Sequence, residues 1–558
     1  MPPPCHNAYS PLLPRKGGSN FHISETATND AGIILQHLNI DSATGPDELP
    51  ARILKECSDA LATPLRLLFI KIITSCKWPK LWRLHWIIPL HKKKDSADAR
   101  NYRGIHVTSH LSKCIERLLK LRIAPCVESP HRIGPNQFAY CRQRGARDAL
   151  AYLTLRWIDA LARKCKVGVY CSDVSGAFDR VRVTRLIQKL TALGFPPELV
   201  QLIESWLQSR TAHVLVAGEK SHATALSDML FQGTVLGPIL WNLFYGDARD
   251  AIRNLDFEEI IFVDDLNEFK IFAPETMDSV IDRQLSKCQC ELHTWGSANQ
   301  VSFDAEKESM HILSILNARC PEFTLLGITF DGSLIMETTM RELIDKCKWK
   351  LIWLLRVRKY HSQQEMVLLY RAHVLSFIEH RTAAIYHSHT SLLDELDALQ
   401  TRFGEDIGLT PLTALSTYHL APLDARRDIA MLGLIHRATL DIGPPHLREF
   451  FKRSAESNLL ENPYALPPYA TGPWRRCLPM ITNSAFGLIP IYNALPSEIK
   501  RCSKVKTFQR QLQNLLLSVA KEGHDKWNRL LSPRVEHKEM KHLLVRLPLS
   551  ATPCDHFS

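Results

Sequence analysis

Residues 167–179 read VGVYCSDVSGAFD. The first six are small, β-branched or aromatic, and the run closes on an acid, Asp173, before the turn-prone pair Ser175-Gly176. A short apolar run bounded in this way reads as a strand with a carboxylate at its tip. After it, Val183, Leu186, Ile187, Leu190 and Leu193 recur at helical spacing, and Gly194 stops the helix. A second acidic tip follows. From Ile260 to Phe272, two apolar runs flank Asp264-Asp265-Leu266-Asn267, which reads as strand, tight turn, strand. Two unit charges about 4 Å apart repel by roughly 4 kcal/mol at an effective dielectric near 20, so adjacent carboxylates there are costly without a cation. If the two strands are neighbours, Asp173 and Asp264 can share a pair of divalent ions about 3.5–4 Å apart, the arrangement used for in-line phosphoryl transfer. An isolated Asp-Asp turn is more often plain solvated turn chemistry. The pair gains meaning from its surroundings.

The chain has 558 residues, 45% hydrophobic and 23% charged. That globular balance excludes disordered, collagen-like and low-complexity classes, and the length suggests three or four structural units. Lys and Arg outnumber Asp and Glu by 69 to 58, which favours an anionic partner such as nucleic acid. The charge is unevenly placed: residues 71–122 carry 13 Lys/Arg against three acids, whereas residues 247–308 carry 15 Asp/Glu against six bases. This suits a chain that grips phosphates and gathers metal ions, although solvated helix faces give the same imbalance. The 15 cysteines are scattered with no CxxC pair, and Cys288, Cys290 and His293 lack a fourth zinc ligand. A reducing compartment is expected. The first residues have no basic segment leading an apolar run, and the uncharged stretches Met229–Gly246 and Cys477–Ser497 are broken by prolines and polar residues. The expectation is a protein of nucleus and cytoplasm, with no signal peptide and no membrane partner.

Other segments give a coarse outline. Residues 1–30 are Pro-, Ser- and Gly-rich and are expected to be a disordered tail. Gly45-Pro46-Asp47 reads as a turn, followed by a helix through Ile53, Leu54, Ala60 and Leu61. Trp86 to Tyr102 reads as strand, polar loop (HKKKDSADA) and re-entry, a hairpin with a basic tip. Pro196-Pro197 opens a helix, residues 213–226 a hairpin, and Pro238 a helix reaching about Asn254. Beyond Gly327 the stripe Met340, Leu343, Ile344, Cys347, Leu351, Leu354 is helical, as is Leu392, Leu396, Leu399, Phe403. The end is Pro-rich, then helical from about Thr507.

In order, the chain carries GPD at Gly45, PLHKKK from Pro89, NYR at 101–103, QFAY from Gln137, DVSGAFD from Asp173, QGTVLGP from Gln232, and FVDD ending at Asp265. It continues with W-x8-D-x2-K from Trp295 through Asp304 to Lys307, and LLGI at Leu325. This ordered set resembles the reverse transcriptases of LINE-type non-LTR retrotransposons from about Ala31 to about Leu516. The resemblance implies an α+β right-hand polymerase fold: fingers over 31–166, palm with an antiparallel sheet over 167–335, helical thumb over 336–445, and a mainly helical C-terminal extension over 446–558. It implies an RNA-directed DNA polymerase that uses two Mg²⁺ ions, with Mn²⁺ as a substitute. Its partners are an RNA template, a DNA primer or target, and dNTPs.

The resemblance also implies roles. Asp173 and Asp264 look like the metal ligands, joined by the Val174 carbonyl, with Asp265 as the second, supporting acid. Arg103 resembles the arginine holding the incoming triphosphate, a role suited to guanidinium; Lys93 or Lys94 would assist. Gln232 and Gly233 match the element beneath nucleotide and template base, and the glycine allows close backbone approach. Lys307 stands where the family carries a lysine proposed to protonate pyrophosphate. Phe178 stands where an aromatic blocks a ribose 2′-OH, with Asp179 expected to face away from the sugar. Phosphates would be gripped by residues 71–122 and by residues 340–360, where seven Lys/Arg meet two acids.

Some positions depart from the pattern: Gly104 stands where proline is usual, Cys141 where arginine is usual, and Ser42 where lysine is common. About thirty residues before the polymerase region are too few for the family's apurinic-type endonuclease, so a nuclease in trans or a pre-existing nick is expected. No zinc knuckle or ribonuclease H acids are visible. The segments YNALP (492–496) and KTF (506–508) resemble the family's tail, with no legible function. Two rivals remain at this level. One is an RNA-directed RNA polymerase, against which Val263 before the acids and the apolar Phe178 speak. The other is a decayed copy that only binds RNA, against which the intact Asp173, Asp264 and Asp265 speak.

Overall fold

The computed structural model describes residues 28–92, 95–128, 130–316, 320–451, 466 and 479–534. Most of the expected N-terminal tail, and Lys93 and Lys94 at the hairpin tip, lie outside the described residues. The tail expectation overran at its end: Thr28 already starts a helix, Thr28–Gln36, whose Asp30 pairs with Arg122 at 2.5 Å.

The described strands, in chain order, are β1 (Leu84–His91), β2 (Tyr102–Val107), β3 (Lys166–Asp173), β4 (Arg210–Val216), β5 (Glu219–Lys220), β6 (Thr224–Leu226), β7 (Glu258–Phe262), β8 (Asp265–Phe272), β9 (Ser309–Leu313), β10 (Phe323–Leu325) and β11 (Ile328–Phe330). Two compact units result. One holds the residues up to Cys141, Cys171–Glu268 and Ser286–Glu308; the other holds Arg142–Tyr170, Phe269–Leu285 and the chain from Ser309.

In the first unit, β1 and β2 form the expected hairpin, antiparallel with Trp86 opposite Val107, and β1 also runs parallel to β4. A four-stranded sheet, whose strands draw residues from both units, has the order β7-β8-β3-β9. Strand β3 is interior, and all but its two end residues are buried, which is why it reads as an unbroken apolar run instead of alternating. Close packing fixes its composition. A Cβ on Gly168 would lie 2.8 Å from Ile281 Cγ2, so only glycine admits that neighbour.

The second unit is mainly helical. Met340, Leu343, Ile344, Cys347, Leu351 and Leu354 of helix Glu337–Arg356 are buried with Leu392, Leu396, Leu399 and Phe403 of helix Thr390–Asp406. Tyr370 and Phe403 stack with ring centroids 4.3 Å apart. Each fully buried side chain of this kind contributes about 1.5–3 kcal/mol of transfer free energy. The two apolar stripes seen in the sequence form one core.

Three expectations needed correction. The acidic turn is Val263-Asp264, not residues 264–267. Strand β8 starts at Asp265 because Ser172 Oγ of β3 donates to the Leu266 carbonyl (2.7 Å), drawing Leu266 and Asn267 into the buried sheet. The helix from Pro238 stops at Tyr245 and resumes as Ala248–Ile252. At the break, a Cβ on Gly246 would lie 3.0 Å from the Arg132 carbonyl, so backbone packs on backbone there. The helix expected after Gly45 is two, Ala51–Glu56 and Ser58–Ser75, parted at Cys57 (φ −94°, ψ 18°).

Candidate active site

Asp173 closes β3, Asp264 sits in the β7–β8 turn and Asp265 opens β8. Because β3 and β8 are neighbours, the three meet: each offers a carboxylate oxygen, and these oxygens lie within 4.8 Å of one another. Burial first, then the Asp173 charge, pushes the Asp264 carboxyl above its ordinary value. Burial and both neighbouring acids push Asp265 up strongly. Carboxylates crowded in this way favour protonation or a cation. A hard divalent ion, which takes oxygen ligands, fits this donor set.

The loop after Trp295 brings a cation to the same place. Asp304 N donates to the Asp173 carbonyl (2.9 Å) and Ser175 N to the Ser302 carbonyl (2.9 Å), while Val174 bridges Phe303 in antiparallel fashion. Thus anchored, Lys307 Nζ bonds Asp173 Oδ2 and lies 3.3 Å from Asp304 Oδ2. Its bond to Asp173 leads the causes that raise its pKa. Arg103, exposed on β2 opposite Leu90, acts electrostatically on Asp264 and Asp179. Asp179, in the one-turn helix Ala177–Arg180, lies in the field of Lys92 and Arg103.

Phe178 is buried and stacks face-on against Trp241, ring centroids 5.5 Å apart and planes 17° apart. Its carbonyl accepts from Leu230 N (2.7 Å), tying it to the segment that carries Gln232. The Gln232 carbonyl accepts from His106 N (2.8 Å). Gly233 has φ +104°, and a Cβ there would lie 2.7 Å from the His106 carbonyl. The close approach foreseen for this glycine is to the backbone of β2. Lys94 lies outside the described residues.

Several positioning residues escaped the sequence reading. Trp241 Nε1 donates to the Val263 carbonyl (2.6 Å), holding the acidic turn from below, and stacks on Tyr245 at 5.0 Å. Val263 has φ +63°, a strained conformation for a β-branched residue. Buried Glu116 accepts from Val235 N (2.8 Å) and Leu236 N (3.2 Å), fixing the end of the Gln232-Gly233 loop. Tyr140, at φ +58°, stands in the fields of Asp264 and Arg103. Tyr140 ends the QFAY stretch and Val263 lies within FVDD, whereas Glu116 and Trp241 belong to none of the motifs read in the sequence.

Residues 91–330 match the family described as reverse transcriptase (RNA-dependent DNA polymerase). That region is a reverse transcriptase domain of the kind carried by non-LTR mobile elements, and its fold is that of the right-hand polymerases, followed by a mainly helical C-terminal region. The RNA-directed DNA polymerase from mobile element jockey of Drosophila melanogaster is 27% identical over 56% of this chain and 34% of its own length. Its counterpart from Drosophila funebris is 26% identical over 61% of this chain and 39% of its own length. The chain thus spans between a third and two fifths of the length of these curated relatives. A solved structure, apo telomerase from Candida tropicalis truncated from its C-terminal domain, aligns at 12% identity and TM-score 0.34 over 51% of this chain and 59% of that one. Among the described residues no helix is long and apolar enough to cross a membrane.

Proposed function

We propose that this chain is an RNA-directed DNA polymerase of a retrotransposon, adding dNTPs to a DNA primer on an RNA template. The observation that carries this reading is the convergence of Asp173, Asp264 and Asp265 inside a reverse transcriptase domain. Asp173 and Asp264, with the Val174 carbonyl and the supporting Asp265, would hold two Mg²⁺ ions, or Mn²⁺ in their place. Such ions supply the charge that activates a primer 3′-hydroxyl and neutralises the departing pyrophosphate. Arg103 grips the incoming triphosphate, and Gln232 with Gly233 supports the nucleotide from a loop held by Glu116 and β2. Lys307 neutralises Asp173 until a divalent ion arrives. The division into fingers (31–166), palm (167–335), thumb (336–445) and C-terminal extension belongs to the same proposal. So does a thumb grip by helix Glu337–Arg356, whose Trp349, Ile352 and Trp353 are exposed and whose Arg356 lies over the Trp353 ring.

Phe178 is the proposed sugar gate. An aromatic face offers a ribose 2′-OH no partner, and leaving that group unpaired costs about 1–3 kcal/mol, or roughly 5- to 150-fold in selectivity. Because the ring also packs on Trp241, Phe178→Val tests the gate with less disruption than alanine. The experiment is primer extension on an RNA template with dNTPs or NTPs. Wild type should use dNTPs, and Phe178→Val should admit NTPs with dNTP use largely kept. Wild-type preference for NTPs would favour an RNA polymerase, and unchanged discrimination in the variant would remove Phe178 from the gate.

A further inference from the structure

Helix Val505–Lys521 buries Phe508, Leu512, Leu515, Leu516 and Val519. That leaves Lys506 and Arg510, and likewise Gln509 and Gln513, one turn apart on another face. This face walls a cavity of about 740 Å³ within the second unit. The other walls carry Arg147, in the first turn of helix Ala146–Ala162, together with Arg371 and Arg426. Five cations therefore share the cavity with one carboxylate, Glu379, and that carboxylate already accepts from Arg426 Nε at 2.8 Å. Arg371 donates to the Tyr418 carbonyl, and burial together with the Arg426 charge pulls its guanidinium below its usual value. Arg147, Lys506 and Arg510 make no hydrogen bond or ion pair with any described residue.

Like charges gathered on a concave wall repel one another and focus a field that draws an anion. Apart from the His419 imidazole, no aromatic ring among the described residues lines the cavity, so these walls offer no stacking platform of the kind that holds bases. Its chemistry suits oxygens carrying negative charge, spaced so that several cations each meet one. We propose that this cavity binds the phosphate backbone of a nucleic-acid strand without reading its bases, as a site additional to the carboxylate cluster. The KTF stretch of the tail, Lys506 to Phe508, thereby gains a role: Phe508 anchors the helix and Lys506 faces the strand. The proposal rests on the polymerase reading only in taking nucleic acid as this chain's ligand.

The test is fluorescence anisotropy of the full-length chain with labelled RNA and DNA strands of about 30 nucleotides across a salt series. The triple variant Arg147→Ala/Lys506→Ala/Arg510→Ala alters side chains outside the core, and an unchanged melting temperature verifies its fold. Each phosphate contact on a single strand contributes about −0.7 to the slope of log K against log salt, so the variant's slope should be shallower by about 2, with affinity lower by roughly 10- to 100-fold at low salt. A control triple of equal charge loss at exposed positions, Arg52→Ala/Lys287→Ala/Arg402→Ala, should change neither value. Lys506→Arg with Arg510→Lys should bind like wild type. An unchanged slope in the first variant, or an equal loss in the control, overturns the site. So does inorganic triphosphate displacing the strand at matched phosphate concentration, which would mark a pocket for free polyanions. If wild type binds no strand, the polymerase reading falls as well; if wild type extends primers and the triple variant binds as tightly, only this site falls.

Discussion

Among the described residues, two triads of aspartates are neutralised in opposite ways. In the second unit, Asp397, Asp424 and Asp428 are interleaved with the chain's own donors. Arg427 forks onto Asp397 (Nη2–Oδ2 2.7 Å), Asn528 donates to Asp424 (2.6 Å) and the Tyr386 hydroxyl donates to Asp428 (2.5 Å). In the first unit, Asp173, Asp264 and Asp265 converge on one another, and among the described residues a single cation, Lys307, touches them. A structural cluster carries its counter-charges in the sequence. A site that must receive a cation leaves them out, and its crowded carboxylates are destabilising until the ion arrives. The basic cavity of the second unit repeats that logic with the sign reversed.

This contrast predicts opposite outcomes for removing one carboxylate from each triad. The largest effect is expected at the first: Asp264→Asn should abolish primer extension while leaving strand affinity within about twofold, because binding rests on Lys and Arg elsewhere. Extension above a few per cent of wild type would equate the two triads functionally. Next comes Asp397→Asn, which strands the buried Arg427 guanidinium and should cost about 3–5 kcal/mol of stability, read from urea unfolding. Extension per folded molecule should be unchanged; a small loss of stability there would mean that the second triad is not held by its arginines.

The smallest effect is a pH dependence. Burial raises the Asp428 carboxyl from its ordinary value to about 7. The folded protein therefore holds a proton there that the unfolded chain releases near pH 4. That contribution to stability is complete below about pH 4 and is lost as pH rises through about 7, at no more than about 1.4 kcal/mol per pH unit. Asp428→Asn should flatten the stability profile between those limits. An unaltered profile would assign the titration elsewhere.

How far the sequence could be read follows from the range of the interactions involved. The β1–β2 hairpin, strand β3 and the two helical stripes were legible because local periodicity and turn residues specify them. The acidic turn was misplaced because its register is set by Ser172 reaching Leu266 from a strand distant in sequence. Trp241, Glu116 and Tyr140 were invisible for the same reason: each acts on a backbone or charge supplied by another segment. The basic cavity could not be foreseen at all. Its cations, at residues 147, 371, 426, 506 and 510, meet only when four separate segments pack. The three clustered aspartates were legible because their spacing to neighbours forms recognisable motifs.

Titration of Mn²⁺ into the full-length chain, followed by binding and by melting temperature, addresses the carboxylate cluster most directly. Wild type should bind the ion and gain stability in proportion to ln(1 + [Mn²⁺]/Kd). The double variant Asp264→Asn/Asp265→Asn should bind at least about tenfold more weakly, yet be more stable than wild type in the absence of metal, since two crowded charges are gone. Lys307→Ala should bind Mn²⁺ more tightly, because no ammonium competes for Asp173. Equal Mn²⁺ affinity in wild type and double variant, or a double variant less stable than wild type without metal, would contradict a cluster built to receive a divalent cation.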